Sequence, residues 1–304
     1  MAVYFLYLKT FGRSDGSSAP SAAAYRAGER IRDERTGKTY DHTNRQDVMH
    51  KEIVLPSEFD GAEARWARDR TTLWNAAEQA ETRKNARVAR EYLVALPVEL
   101  TPDERVGLVR GFAHELSERY RFAVDVSIHA PRDFPGSDPR NFHSHLLATT
   151  REVTPEGLGA KTTLELNDAK RRELGLEPSI NELLYVRERW AIATNEALRE
   201  AQLDVRIHHH GVKGQGIERD QKPWIPRVAY EIERRGFRSV VAERMREDYR
   251  AQMRSRSERE AEQRPNLEEM RRQARERWLQ SRQQAADREP PKTEGQGRDD
   301  DLSR

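Results

Sequence analysis

The sequence predicts an α+β fold followed by a charged helical tail, and three observations carry that expectation. Five short apolar runs have the length and alternation of strands, longer segments between them keep helical spacing, and from about Arg238 onward the chain is nearly all Arg, Glu, Gln and Ser. The chain has 304 residues, 36% hydrophobic and 35% charged, enough for one compact domain plus a segment too polar to join its core. We expect the domain over residues 1–236 and a charged helical to disordered tail over 237–304.

The elements follow in chain order. In residues 2 to 10, Ala2, Tyr4, Leu6 and Leu8 alternate with Val3, Phe5, Tyr7 and Lys9, apolar on both faces, which predicts a buried central strand. GRSDGSS at 12 to 18 is a loop, and Pro20 then opens a helix over SAAAYRAGERIRDE that carries Tyr25. KEIVLP at 51 to 56 and EYLVALP at 91 to 97 read as strands ending at proline, with a helix rich in Trp, Arg and Glu between them. Thr101, Pro102 and Glu104 form a capping box, after which Val106, Val109, Ala113, Leu116 and Tyr120 keep helical spacing. FAVDVSIHA at 122 to 130 and FHSHLLATT at 142 to 150 read as an antiparallel strand pair joined by the loop PRDFPGSDPRN. A second capping box, Ser179 with Glu182, starts a helix striped by Leu183, Val186, Trp190, Ala193 and Ala197 that leads into LDVRIHHH. EPPKTEGQGRDDD, near the end, predicts disorder, and no internal repeat is present.

Composition narrows the chemistry. With no cysteine, disulfides and thiolate metal sites are excluded, so a metal must be held by His, Asp or Glu. No run approaches the roughly 20 apolar residues of a membrane span, and the first residues lack a signal peptide's basic flank and cleavage site. No membrane insertion and a cytoplasmic location are therefore expected. The net charge is only +2, so phosphate binding depends on where the charges sit.

Three of the nine histidines fall on the predicted strand pair. His143 and His145 are two apart and share a face, while Asp125, Ser127 and His129 form one face of the neighbouring strand against Val124, Val126 and Ile128 on the other. Three neutral imidazoles could therefore converge on one divalent ion and leave positions open for water or a phosphate oxygen. A structural role for the histidines is the plain alternative. Tyr25, by itself on an Ala-rich helix, reads more readily as packing than as chemistry.

Three blocks change that balance: GRSDGSSAPSAAAYRAGERI, then WNAAEQAETRKNARVAREYLVALP at 74 to 97, then SIHAPRDFPGSDPRNFHSHLLATTRE at 127 to 152. In content and order they resemble the motifs of the MobA/MobL (MobQ-type) conjugative relaxases, and RIHHHGVKGQGIERDQKPWIP at 206 to 226 resembles the segment closing that family's nicking domain. The resemblance implies the histidine-triad relaxase fold, a five-stranded antiparallel sheet with flanking helices. It puts the nucleophile on Tyr25, the metal ligands on His129, His143 and His145, and an acidic helper on Glu91. Glu78 and Glu81 compete for that last role but read as solvated helix charges. The middle residue of the histidine pair is Ser144 rather than the hydrophobic residue usual in the family, and it faces away from the ligands.

The implied activity is metal-dependent (Mg²⁺ or Mn²⁺) nicking and rejoining of one DNA strand at an origin of transfer, through a 5′-phosphotyrosine and a free 3′-hydroxyl. Implied partners are single-stranded origin DNA, relaxosome accessory proteins and type IV coupling proteins. Arg26, Arg30, Arg83, Lys84 and Arg87 are candidates to hold the strand, each equally readable as a solvated charge. His208, His209 and His210 alternate faces, so they are read as DNA contacts or surface. A rolling-circle replication initiator uses similar chemistry but places its histidine pair before the tyrosine, the reverse of the order here. A non-catalytic origin-binding protein is the rival of another class.

Overall fold

All five strand-length runs enter one sheet in a computed structural model that describes residues 2–59, 61, 63–132, 137–210 and 225–286. The strands are β1 (Leu6–Gly12), β4 (Val48–Val54), β5 (Arg87–Ala95), β6 (Val124–His129) and β7 (His143–Ala148). They lie in the order β1-β5-β7-β6-β4, and every neighbouring pair is antiparallel. The chain forms two compact units, Met1–Gly216 and Ile217–Arg304.

The two faces of the sheet are covered differently. Leu6, Tyr92, Val94, Val124, Val126, Ile128 and Leu146 point to one face and bury against α3 (Pro102–Tyr120) and α5 (Ser179–Glu200), with Phe112 and Trp190 at the centre. The other face carries Phe11, Ala89 and Leu147 under α1 (Ala19–Ala27) and α2 (Arg70–Gln79). Alanines at 19, 22, 23, 24 and 27 are all buried, so α1 lies close against its neighbours. Tyr25, on its outer side, stays exposed.

Capping chemistry sets the helix starts. Ser18 accepts from the Ser21 amide and Pro20 occupies the first turn of α1. Thr101 and Glu104 form the expected reciprocal box at the start of α3.

Several expectations are corrected. Strand β1 is at the sheet edge, not its centre, and Val3, Phe5 and Tyr7 are solvent-exposed. Helix α1 ends at Ala27, because Gly28 takes a left-handed conformation at φ 61°; Arg30–Arg32 is instead strand β2, paired with β3 (Thr39–Asp41). At Ser179 no capping box forms: Pro178 occupies the cap position, and Glu182 is drawn away to Tyr120 Oη at 2.7 Å and Arg119 Nη2 at 3.0 Å. The hairpin of β8 (Arg151–Thr154) and β9 (Gly157–Lys161) and the short helix α4 (Asp168–Glu173) lie in polar sequence with too few apolar positions to show a period.

In the second unit, α6 (Arg227–Arg234) packs on the start of α7 (Val240–Ala286) through the buried Ala229 and Ala242. The arginine- and glutamate-rich stretch thus forms a 47-residue helix. The disorder expected near the C-terminus falls on residues 287–304, outside the described residues, as does much of the motif at 206 to 226. Among the described residues no helix is long and apolar enough to cross a membrane.

Candidate metal and nucleophile site

The register of β6 against β7 brings the histidines together. His129 is directly opposite His143, and Ser127 is opposite His145, so all three side chains leave one face of the sheet. One nitrogen from each lies within 4.8 Å of the others, and the ring centroids are 4.8 to 5.3 Å apart.

Each ring is oriented by a second contact. His145 Nδ1 donates to Glu91 Oε1 at 2.6 Å, and His143 Nδ1 donates to the Asn141 carbonyl at 2.9 Å, which leaves both Nε2 lone pairs available. His129 Nε2 donates to the Arg26 carbonyl at 2.7 Å, while its Nδ1 lies 3.3 Å from Arg45 Nη2. Ligation by His129 requires release of one of those two contacts.

Burial sets the charge state. It pushes the His129 pKa down to about 3, with His145, Arg45 and His143 adding to the effect against the Arg26 carbonyl, and it lowers that of His143 as well. These imidazoles are therefore neutral at pH 7, the form that ligates metal. Burial opposes ionisation of Glu91, but hydrogen bonds from His145 and Arg26 outweigh it and hold its pKa at about 2. A buried carboxylate behind a histidine triad fits a divalent cation by donor type, charge and open face.

Tyr25 stands beside this cluster on α1. Its hydroxyl accepts from Arg132 Nη2 at 2.8 Å, its ring meets His42 edge-on, and the Arg45 guanidinium lies 4.3 Å from the ring centroid. Arg45 also donates to the Tyr25 carbonyl at 2.6 Å, so one guanidinium touches both the tyrosine and His129. Asp47 fixes Arg45 and Arg132 together, and its hydrogen bond from Arg45 keeps its carboxyl well below the usual range despite partial burial. Sequence reasoning missed Arg45, Asp47 and Arg132, which sit in loops and carry no periodic signal. The only hint for Arg132 is its place just after His129.

The two acids read as solvated are structural. Glu78 is fully buried; it accepts from the Ala19 amide at 2.8 Å and from Arg13 and Arg35 at 3.0 Å each, tying the start of α1 to α2. Glu81 is buried between Arg151 and Lys161. Asp125, two residues before Ser127, accepts from two nitrogens of Arg70, Nε and Nη2, and from the Trp74 indole, docking α2 on the histidine face.

The five cations proposed to hold DNA are not gathered at one place. Arg26 is turned inward onto Glu91, with its side chain only 11% exposed, and so is committed to the site's interior. Arg30 is exposed 3.9 Å from Asp41. Arg83 and Arg87 line a cavity with Leu8, Arg90 and Tyr92, residues of the sheet face opposite the histidines, and Lys84 is exposed in the α2–β5 connection.

A five-stranded antiparallel sheet that presents three histidines beside a helix-borne tyrosine defines the class of protein to compare. The MobA/MobL family model matches residues 17–235, and the chain belongs to that family. It is 35% identical over 254 residues to mobilization protein MobL of Acidithiobacillus ferridurans, covering 77% of this chain and 65% of that protein. It is 30% identical over 267 residues to a probable mobilization protein MobA of Bifidobacterium longum, covering 78% of this chain and 45% of the other. A solved structure from work on the molecular basis of vancomycin resistance transfer in Staphylococcus aureus superposes with a TM-score of 0.56 at 29% identity, covering 69% of this chain and all of that one. The chain thus spans less than two thirds of these curated relatives' own length.

Proposed function

We propose that this protein is a relaxase that nicks one strand of DNA at an origin of transfer, with Tyr25 as nucleophile, and rejoins it by the reverse step. The observation that carries this reading is Arg45, which joins the tyrosine's backbone to one ring of a carboxylate-backed histidine triad. A tyrosine and a cation site within one guanidinium's reach suit attack on a phosphodiester.

Tyr25 Oη forms a bond to phosphorus as the bond from phosphorus to the 3′ oxygen breaks. The phenol loses its proton and the departing 3′ oxygen gains one, which leaves a 5′-phosphotyrosine and a free 3′-hydroxyl. The count of phosphoester bonds is unchanged, so rejoining needs no nucleotide hydrolysis. Arg132, already on the phenol oxygen, balances negative charge there. Glu91 acts through His145, fixing its tautomer and ring angle. Mg²⁺ or Mn²⁺ held by His129, His143 and His145 would neutralise charge on the phosphate and orient it. Relaxosome accessory and coupling proteins are the partners this activity calls for.

The test is supercoiled plasmid carrying the origin, incubated with protein and Mn²⁺. We expect open circles whose nicked strand is extended by a polymerase from its 3′ end and blocked to 5′ labelling. Linear products, or a 5′ end open to labelling, would contradict transfer to a tyrosine.

A further inference from the structure

We infer that Phe5 and Tyr7 form a shelf on which bases of a DNA single strand stack while its phosphate lies at the histidine triad; the inference rests on the nicking reading. Residues 2 to 9 alternate between two faces. Ala2, Tyr4, Leu6 and Leu8 pack on the core, whereas Val3, Phe5 and Tyr7 are 68%, 45% and 55% exposed. Edge strands usually present charge to water, so consecutive outward apolar side chains mark a contact surface.

Register says what that surface faces. Tyr7 pairs with Leu93, and Leu93 with His145. Phe5 aligns with Ala95 through the Ala95 amide on its carbonyl, and Ala95 pairs with His143. Paired residues share a face, so each ring sits in a cross-strand row with one histidine. The two strand spacings between them amount to roughly 10 Å, within reach of neighbouring nucleotides on one strand. Lys9, exposed and next on the same face, supplies a cation for the backbone. Planar apolar groups beside a cation and a phosphate site fit a single strand, since every base offers a π-face.

Addition of another β-strand at this edge fits less well. Arg187 Nη1 donates to the Leu6 carbonyl at 3.2 Å, and Tyr4 Oη donates to the Arg187 carbonyl at 3.1 Å, so α5 already caps the edge there.

The experiment uses the full chain with Tyr25→Phe, in EDTA, so that neither cleavage nor metal enters. Anisotropy would measure binding of fluorescein-labelled oligothymidylate of about 16 nucleotides and of an abasic strand of equal length. We expect Phe5→Ala and Tyr7→Ala each to weaken oligothymidylate binding about tenfold with no change for the abasic strand, and Tyr7→Trp to keep affinity with its emission quenched. Equal melting temperatures would show that the exposed substitutions leave the fold intact. Unchanged oligothymidylate affinity, equal losses on both strands, or no binding at low salt would each overturn the shelf. So would a dimer by light scattering that Tyr7→Ala dissolves without altering DNA binding. The stacking result stands or falls without any adduct, so failure of the nicking reading is seen separately.

Discussion

Glu91 Oε1 receives both His145 Nδ1 and Arg26 Nε, so a single buried oxygen holds a triad ring and the residue next to Tyr25. Outer partners of this kind typically change metal affinity 10–100-fold when lost. Glu91→Gln is therefore expected to weaken Mn²⁺ binding by about that factor in calorimetry, with nicking recovered at high metal. Wild-type affinity in the variant would remove the orienting role. Arg132 is a sharper case, because it touches the phenol oxygen and, among the described residues, makes no hydrogen bond to a triad histidine. Arg132→Ala should slow nicking about tenfold or more while leaving Mn²⁺ affinity unchanged, as expected for a charge-assisted contact to the attacking atom. The triad itself was legible from sequence because strand periodicity of two forces His143 and His145 to one face and puts His129 in phase. Its supports were not. Arg45, Asp47 and Arg132 converge from two loops, and their proximity arises from sheet order rather than spacing along the chain.

At the scale of elements, α1 is held at both ends. At its start, the Ala19 amide bonds to the buried Glu78; at its end, Gly28 adopts φ 61°, where an added Cβ would come 3.2 Å from Val48 Cγ2. Gly28→Ala should cost about 1–2 kcal/mol and lower nicking more than its stability loss explains, because it tilts Tyr25. Thermal melts paired with nicking rates would check this. Glu78→Ala leaves Arg13 without its buried partner and should cost roughly 3–5 kcal/mol; a melting temperature within a degree of wild type would contradict that. These supports explain where sequence reasoning went wrong. Glu78 looked solvated because helical position alone does not reveal that the Arg13 and Arg35 side chains fold over it. The run GERIRDE looked helical by composition, yet a single αL glycine ended the helix and turned the rest into a hairpin. β1 looked central because both faces are apolar, and that mismatch is what exposes Phe5 and Tyr7.

Over the whole molecule, Glu182 links the helices on the far side of the sheet. It reaches Arg119 and Tyr120 on α3 and the buried Arg171 on α4. Burial opposes its charge, but hydrogen bonds from Tyr120 and Arg119 and the nearby arginine charges outweigh it, so its pKa lies below the ordinary 4.5. A depressed carboxylate adds stability that is present above pH 4.5 and lost as pH falls through its folded value. Urea midpoints of wild type and Glu182→Gln should therefore differ at pH 7 and converge on acidification below about pH 4.5. The two compact units divide at Gly216 and Ile217, earlier than the compositional change near residue 237. We propose that the nicking domain ends by residue 236, so that a chain stopped there keeps its metal-dependent activity.

The most direct measurement is the covalent adduct. Labelled single-stranded origin DNA, protein and Mn²⁺ would be combined, denatured and resolved, with Tyr25→Phe and His143→Ala alongside. The account predicts an adduct in wild type that requires metal, absent in Tyr25→Phe and strongly reduced in His143→Ala. An adduct surviving Tyr25→Phe would move the nucleophile elsewhere, and no adduct from a folded protein that binds the strand tightly would contradict covalent transfer altogether.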